Sequence, residues 1–200
     1  MPDSACNRRE FLCVASLAGW RPRRLLGAND RLGVAVIGCG ERGLLGEVLE
    51  FAKEMNVEVL AVCDTWRQKR GQAAAAVREA SGREPKALVH YHDILALTDI
   101  DAVVIGTPDH QHCTMLRDAV LAGKDVYVEK PLAMNMSELV EAVDAVKKSG
   151  RVVQVGTQVR SFASSVAARS FVASGGLGRI FKIEQSRNGH RPYWHRYAAR

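Results

Sequence analysis

Three glycines with the spacing G-x-G-x-x-G stand between an apolar run and a helical pattern. Residues 34–37 are apolar, Gly38, Gly40 and Gly43 follow, and from Leu44 apolar residues recur with the period of a helix that has one buried face. At such a junction the first glycine allows a sharp turn, the second lets a diphosphate approach the backbone, and the third lets the helix pack closely on the strand. Because the helix start also attracts anions, the stretch predicts a phosphate-binding turn.

An acidic residue follows the next apolar run. Residues 57–63 form a largely apolar run, and Asp64 follows it near the spacing from the glycine turn at which a carboxylate meets an adenosine ribose. Strand, glycine turn, helix, strand and acid together favour dinucleotide binding. The alternative is a tight turn in an α/β protein that binds no ligand, with Asp64 capping the next helix.

A lysine stands directly after a later apolar run, in the step Glu129-Lys130-Pro131. A lysine that is partly shielded from water loses its proton readily and can relay a proton to or from a substrate hydroxyl. Pro131 restricts the backbone and can be cis, which would aim Lys130 inward. The alternative for Lys130 is a solvated surface charge, which is the usual state of a lysine after a strand.

Apolar runs alternate with helical patterns along the chain. We expect strands over 34–37, 57–63, 88–91, 101–105, 125–128 and 152–155. We expect helices over 44–52, 66–80 and 93–97, then one that Asp109 caps, and one from Asn135 to Gly150. Strands that alternate with helices pair in parallel, and continuous apolar strands indicate that both faces of the sheet are covered. The prediction is an α/β fold with a doubly wound parallel sheet that binds ligands at the carboxyl ends of its strands.

Composition excludes several classes of protein. The 200 residues are 47% hydrophobic, without an apolar run long enough to span a bilayer. The net charge of +6 is concentrated at the start, where residues 1–28 carry five arginines against Asp3 and Glu10, so no nucleic-acid partner is expected. The five cysteines form no C-x-x-C pair, and His110 and His112 would face different ways on a helix, so no metal site is expected.

The first thirty residues resemble a twin-arginine leader. Arg8 and Arg9 precede Phe11-Leu12 and a short apolar stretch over 13–20, which is typical of an export signal. Leu26-Gly27-Ala28 is a poor cleavage site, because Leu26 is not small. We therefore expect a periplasmic protein exported with its cofactor, and the alternative is a disordered basic tail on a cytoplasmic protein.

Four stretches of the chain follow one another in a characteristic order. They are Gly38-Cys39-Gly40-Glu41-Arg42-Gly43, Thr107-Pro108 with His112, Gly123-Lys124-Asp125-Val126-Tyr127-Val128-Glu129-Lys130-Pro131, and Gly156-Thr157-Gln158. In that order and at that spacing they resemble the Gfo/Idh/MocA oxidoreductases over about residues 31–186. The resemblance implies an NAD(P)-binding Rossmann domain over 31–156 and an α/β substrate domain that begins over 157–200. It also implies reversible hydride transfer at a hydroxyl-bearing carbon of a small-molecule sugar or cyclitol.

The resemblance further implies a role for each matching residue. Lys130 would be the catalytic residue, in contact with the nicotinamide ribose and the reacting hydroxyl, and Pro131 would shape its loop. Asp64 would hold the adenosine ribose and favour NAD, whereas Arg67 and Arg70 leave NADP open, since arginine can pair with a 2′-phosphate. The other cofactor-binding residues would be Gly38, Gly40, Glu41, Arg42, Gly43, Thr107, Pro108, His112, Glu129 and Gln158.

The chain departs from the family in length, because members are usually much longer than 200 residues. A helix over 162–173 and a strand over 179–185 would form only the entry to the substrate domain, with Arg160 near its pocket. The aspartate and histidine that the family's second domain contributes have no assignable counterpart, and the polar-aromatic tail is not assigned to catalysis. That tail consists of His190, Tyr193, Trp194 and His195.

Three hypotheses follow for the activity. The first is an NAD-dependent sugar or cyclitol dehydrogenase that is truncated or incompletely represented, and that forms a homo-oligomer when full length. The second is a glycoside hydrolase that acts by transient oxidation and uses the same cofactor. The third is a nucleotide-binding remnant without catalysis.

Overall fold

The computed structural model describes residues 31–186. The leader predicted over residues 1–30 lies outside this range, and so does the polar-aromatic tail. Contacts between Cα atoms divide the chain after Gly156 into two compact units. The first unit holds the sheet, and the second begins at Thr157.

The first unit consists of strands that alternate with helices. Its strands are β1 (Leu32–Ile37), β2 (Val57–Cys63), β3 (Lys86–Leu88), β4 (Ala102–Ile105), β5 (Asp125–Glu129) and β6 (Val153–Gly156). Its helices are α1 (Leu44–Phe51), α2 (Arg67–Ser81), α3 (Tyr91–Leu95), α4 (His112–Leu121) and α5 (Met136–Ser149). The strands lie in the order β3-β2-β1-β4-β5-β6, and every neighbouring pair is parallel.

Side chains of the central strand β1 alternate between two apolar cores. Ala35 and Ile37 enter the core covered by α3, α4 and α5, whereas Val34 and Val36 enter the core covered by α1 and α2. Because successive residues of a strand point to opposite faces, a strand with a core on each side must be apolar throughout. The predicted doubly wound parallel sheet is confirmed.

Lys124 has a structural role, although it belongs to one of the four stretches that resemble the family. Only 7% of the residue is exposed, and its Nζ donates to the carbonyl oxygens of Leu97 at 2.6 Å and Ile100 at 2.8 Å. Burial lowers the pKa of Lys124. The lysine stands directly before β5 and its acceptors precede β4, so it ties the amino ends of the two strands together.

Two element boundaries of the first unit differ from the prediction. The third strand covers Lys86–Leu88 instead of 88–91, because it pairs only with the last three residues of β2. Tyr91 then begins α3, where its hydroxyl donates to Asp118 of α4 at 2.7 Å. Asp109 lies in a 3-10 turn and does not cap α4. At the third strand and the start of α3, contacts with β2 and α4 decide where the chain turns.

The second unit is described over residues 157–186 and contains one α-helix, α6 (Ala163–Ala173). A short 3-10 turn, Gln158–Ser161, precedes the helix. The strand predicted over 179–185 is wrong, because these residues have no regular structure. A strand needs a neighbour to pair its N–H and C=O groups, and the described part of this unit provides none.

Within residues 31–186, none of the helices has both the length and the apolar character needed to cross a membrane.

Candidate functional site

The candidate site lies where the strand order reverses, at the carboxyl ends of β1 and β4. Ligands of open α/β sheets bind in the crevice outside such strand ends. Gly38, directly after β1, has a φ of 89°, and a Cβ atom there would lie 2.7 Å from the carbonyl carbon of Gly106 after β4. Glycine is therefore required at position 38 both by its left-handed backbone and by the close approach of the two strand ends.

The other two glycines serve the turn in different ways. A Cβ atom on Gly40 would meet no atom within 4 Å, so the space beside this residue is open for a ligand. Gly43 precedes α1 with a φ of 76°, and a Cβ atom there would approach nothing nearer than the oxygen of Glu41 at 4.0 Å. The predicted need for close packing at Gly43 is wrong, because its left-handed backbone is what requires glycine.

Asp64 joins the glycine turn to the start of α2. Its Oδ2 accepts the N–H of Cys39 at 2.8 Å, and its Oδ1 accepts the N–H of Trp66 at 2.8 Å. Arg70 donates to the backbone oxygen of Asp64 at 2.6 Å. The half-buried carboxylate keeps a second lone pair on each oxygen, so it can hold the turn and still accept a ribose hydroxyl.

Glu129, the last residue of β5, is paired with Arg42 of the glycine turn. Its Oε1 accepts from Nε of Arg42 at 2.8 Å and lies 2.7 Å from Nη2 of the same guanidinium. Its Oε2 accepts the backbone N–H of Lys130 at 3.0 Å. The carboxylate is nearly inaccessible, with 5% of the side chain exposed. The sequence offered no signal for this pair, because its members are far apart in the chain.

His112 connects two loops of the site. Its Nδ1 lies 2.6 Å from the carbonyl oxygen of Pro131, and its Nε2 lies 2.9 Å from that of Thr107. The residue is 1% exposed. Direct contact of the side chain with a cofactor, which the family resemblance implies, disagrees with this burial. The ring instead fixes the loop that carries Lys130, together with Cys113, whose thiol donates to the carbonyl oxygen of Leu132.

Lys130 stands at the start of this fixed loop. The Lys130–Pro131 peptide bond is cis, which is the form that the sequence left open. The lysine is exposed, and within residues 31–186 its ammonium group makes no hydrogen bond or ion pair. The expected shielding from water is therefore not provided by the described part of the chain. The backbone is held in place, while the amine is available to a ligand.

Two cysteines border the same edge of the sheet. The thiol of Cys39 donates to the carbonyl oxygen of Cys63 at 3.6 Å. Burial, with a smaller contribution from the charge of Asp64, raises the pKa of Cys39 to about 12 and the pKa of Cys63 to about 11. Both thiols therefore stay protonated near neutral pH and are poor nucleophiles.

The remaining predicted residues lie in several places. Glu41 and Pro108 are exposed at the strand ends, and Thr107 is half-buried with its hydroxyl 3.5 Å from the sulfur of Met115. Gln158 and Arg160 belong to the 3-10 turn of the second unit. Among the described residues, no group of histidine, cysteine, aspartate and glutamate is arranged to hold a metal ion.

Comparison with known proteins identifies the family of this fold and site. The Gfo/Idh/MocA family model, described as an oxidoreductase family with an NAD-binding Rossmann fold, matches residues 32–157. The chain belongs to this family. Its first unit is thus an NAD-binding Rossmann domain, and the glycine turn, Thr107-Pro108 and Glu129-Lys130-Pro131 lie at the carboxyl ends of its strands.

Individual relatives agree with the family assignment. Glycosyl hydrolase family 109 protein 2 from Shewanella sp. (strain ANA-3) is 36% identical over 126 residues, which cover 61% of this chain and 27% of that protein. The WlbA dehydrogenase from Chromobacterium violaceum, solved with NADH and UDP-GlcNAcA, is 28% identical with a TM-score of 0.65, over 78% of this chain and 43% of the other. Myo-inositol 2-dehydrogenase from Lactobacillus plantarum is 26% identical with a TM-score of 0.64, over 76% and 43%. The chain thus spans less than half the length of these relatives.

The residues of the first unit fit the cofactor of the Gfo/Idh/MocA family. The open space beside Gly40 is the place where a side chain would obstruct a diphosphate, and the turn leads into the N-terminus of α1. Asp64 lies at the end of the neighbouring strand β2, where a ribose carboxylate is expected. NAD would therefore be held by Gly38, Gly40 and Gly43 at its diphosphate and by Asp64 at its adenosine ribose.

Proposed function

We propose that this chain is an NAD-dependent oxidoreductase that acts on a hydroxyl-bearing carbon of a sugar or cyclitol. The observation that carries the proposal is Lys130, whose ammonium group has no partner among residues 31–186 and which stands on a fixed loop at the same sheet edge as the glycine turn. A myo-inositol dehydrogenase and a dehydrogenase that binds a nucleotide sugar are among the similar structures, which supports a polyhydroxylated substrate.

In this proposal Lys130 moves the proton of the reaction. NAD, when bound, supplies the acceptor for the hydride that leaves the substrate carbon. The neutral amine of Lys130 takes up the proton of the substrate hydroxyl as the carbonyl forms, and the ammonium form returns it in the reverse direction. His112 and Glu129 hold the loop on either side of Lys130, so the amine approaches the substrate from a defined position.

A glycoside hydrolase is the second candidate function. Several similar proteins are glycosyl hydrolase family 109 proteins, and one of them aligns over 83% of this chain at 27% identity. Such an activity would use the same cofactor turn and the same lysine, because NAD would first oxidise the sugar at a hydroxyl-bearing carbon. The oxidised sugar would exchange its leaving group for water, and the NADH formed would then re-reduce it, so that no net NADH accumulates. The two functions therefore differ in their products and not in the site described above.

The purified 200-residue chain should be supplied with NAD and a panel of inositols and hexoses, and separately with nitrophenyl glycosides. Accumulation of NADH, followed by its absorbance, is expected for the dehydrogenase. Release of nitrophenol without net NADH would contradict the dehydrogenase and support the glycoside hydrolase. NAD binding without either product would contradict both and leave a nucleotide-binding module.

Asp64 offers a test of the cofactor choice. Replacement by asparagine should weaken NAD binding by about tenfold, since a charged hydrogen bond to the ribose becomes a neutral one. The same change should improve NADP binding, because it removes the carboxylate that repels a 2′-phosphate while Arg67 and Arg70 remain nearby. Titration calorimetry with both nucleotides measures the two affinities.

The control for Asp64→Asn is Glu79→Gln, which neutralises an exposed carboxylate on α2. It should leave both affinities unchanged within about twofold, as surface charges have small effects. Equal NAD affinities for Asp64→Asn and the parent chain would contradict the assignment of Asp64 to the ribose.

A further inference from the structure

Glu129 is a buried carboxylate with donors on both oxygens. One oxygen lies within 2.8 Å of two nitrogens of the Arg42 guanidinium, and the other accepts the N–H of Lys130 at 3.0 Å. The whole residue is 3% exposed. Because burying a carboxylate is costly unless it is paired, an ion pair in this position is expected to be occupied in most molecules.

The surroundings of Glu129 are shaped to accept this side chain. Gly156 pairs with Glu129 across β5 and β6, and a Cβ atom on Gly156 would lie 3.0 Å from Oε1 of Glu129. The same Cβ atom would lie 2.6 Å from the hydroxyl of Tyr127. A side chain at position 156 would therefore displace the carboxylate, which explains why glycine ends β6 here.

Arg42 has two carboxylate partners that differ in their exposure. Glu47 on α1 lies 2.8 Å from Nη1 of Arg42, and 54% of its side chain is exposed. The Glu129 side chain is 5% exposed and approaches the guanidinium with the shorter of the two contacts, at 2.7 Å. Exposed ion pairs contribute little, whereas breaking a buried pair leaves a charge without a partner. The pair with Glu129 is thus the one that holds the turn.

These contacts also bear on the role of Glu129 itself. The family resemblance implies that Glu129 binds the cofactor, yet its carboxylate is buried and both oxygens accept hydrogen bonds from the protein. A carboxylate that faced the diphosphate would also repel it. Arg42 lies in the turn that receives the diphosphate, and Lys130 lies in the loop proposed to meet the substrate.

We propose that Glu129 is a positioning residue that couples the diphosphate turn to the loop of Lys130. Its carboxylate holds the Arg42 side chain with one oxygen and the backbone of Lys130 with the other, so a change at either end of the cofactor site is transmitted to the opposite end. The coupling rests on the proposed function only in the role given to Lys130. Its test uses cofactor binding, which does not depend on turnover.

The experiment compares Glu129→Gln, Arg42→Met and the double variant in the full chain, by titration with NADH and by the fluorescence of bound NADH. Each single variant should weaken NADH binding by at least about tenfold, or about 1.4 kcal/mol. The double variant should be no weaker than the weaker single one, because both changes remove the same contact. Arg42→Met should also alter the nicotinamide fluorescence, although Arg42 lies at the diphosphate turn.

Glu47→Gln is the matched control, since it removes the exposed partner of the same guanidinium. It should change the NADH affinity by less than about twofold. A lower free energy of unfolding for Glu129→Gln with unchanged NADH affinity and fluorescence would overturn the proposal, and so would tighter binding. If Glu129→Gln does not fold, Arg42→Met alone tests the proposal. Unchanged fluorescence of bound NADH in that variant would overturn the proposal as well. If the variants change NADH affinity and fluorescence as expected but the parent chain oxidises no sugar, only the proposed function is contradicted.

Discussion

Replacing Gly40 by valine is expected to abolish NAD binding in a chain that still folds. A Cβ atom at this position meets no protein atom within 4 Å, so the valine side chain would occupy open space beside the turn. That space is where the diphosphate is expected to pass the backbone. We expect the dissociation constant to rise at least about 100-fold, or about 2.7 kcal/mol. Titration of the variant with NADH measures the change.

Gly46→Val is the matched control for Gly40→Val. Gly46 lies within α1, and a Cβ atom there also meets nothing within 4 Å. The same added side chain should therefore leave the dissociation constant within about twofold of the parent value. Gly38 would be unsuitable for this comparison, because a Cβ atom there would collide with the backbone of Gly106. Parent-like NADH binding by Gly40→Val would place the diphosphate elsewhere.

Replacing Lys130 by methionine is expected to remove substrate oxidation and leave cofactor binding in place. Methionine keeps most of the side-chain length but cannot exchange a proton, and general acid–base catalysis is typically worth about 10²–10⁴-fold in rate. The fold should tolerate the change, since the ammonium group has no partner within residues 31–186. Turnover with NAD, measured beside the NADH affinity, separates the two effects.

Two further variants sharpen the test of Lys130. Lys130→Arg should lose a similar fraction of the rate, because arginine keeps the positive charge but does not release its proton. Lys148→Met removes an exposed lysine from α5 and should leave the rate unchanged. Full activity in Lys130→Arg would show that charge alone is needed, and would contradict proton transfer by this residue.

The spacing of apolar residues was sufficient to predict which segments form the strands and helices of the first unit. The strands β1 and β4 are continuous apolar runs, β2 is interrupted only by Glu58, and each helix that covers them has one apolar face. Errors occur where a boundary depends on a distant partner. The third strand is limited to Lys86–Leu88 by the end of β2, and the strand predicted over 179–185 has no partner in the described part of its unit.

Most of the site residues predicted in the first unit follow the ends of its strands, but several of their roles could not be predicted. The glycine spacing predicted the turn at Gly38 and the open space beside Gly40, because both depend on residues close in sequence. His112 was expected to meet the cofactor, and its burial between Thr107 and Pro131 became evident only once three separate segments were placed together.

Sequence patterns alone predicted the fold class, a glycine turn after β1 and the edge of the sheet that carries the candidate site. These features follow from the spacing of apolar residues and glycines, which reports on backbone geometry within a few residues. Only the folded chain revealed that Glu129 contacts both Arg42 and the backbone of Lys130. It also revealed that Lys124 ties the strands together at the opposite edge of the sheet, where their amino ends lie. Ion pairs and buried hydrogen bonds depend on distances between segments far apart in the chain, and no local pattern contains those distances.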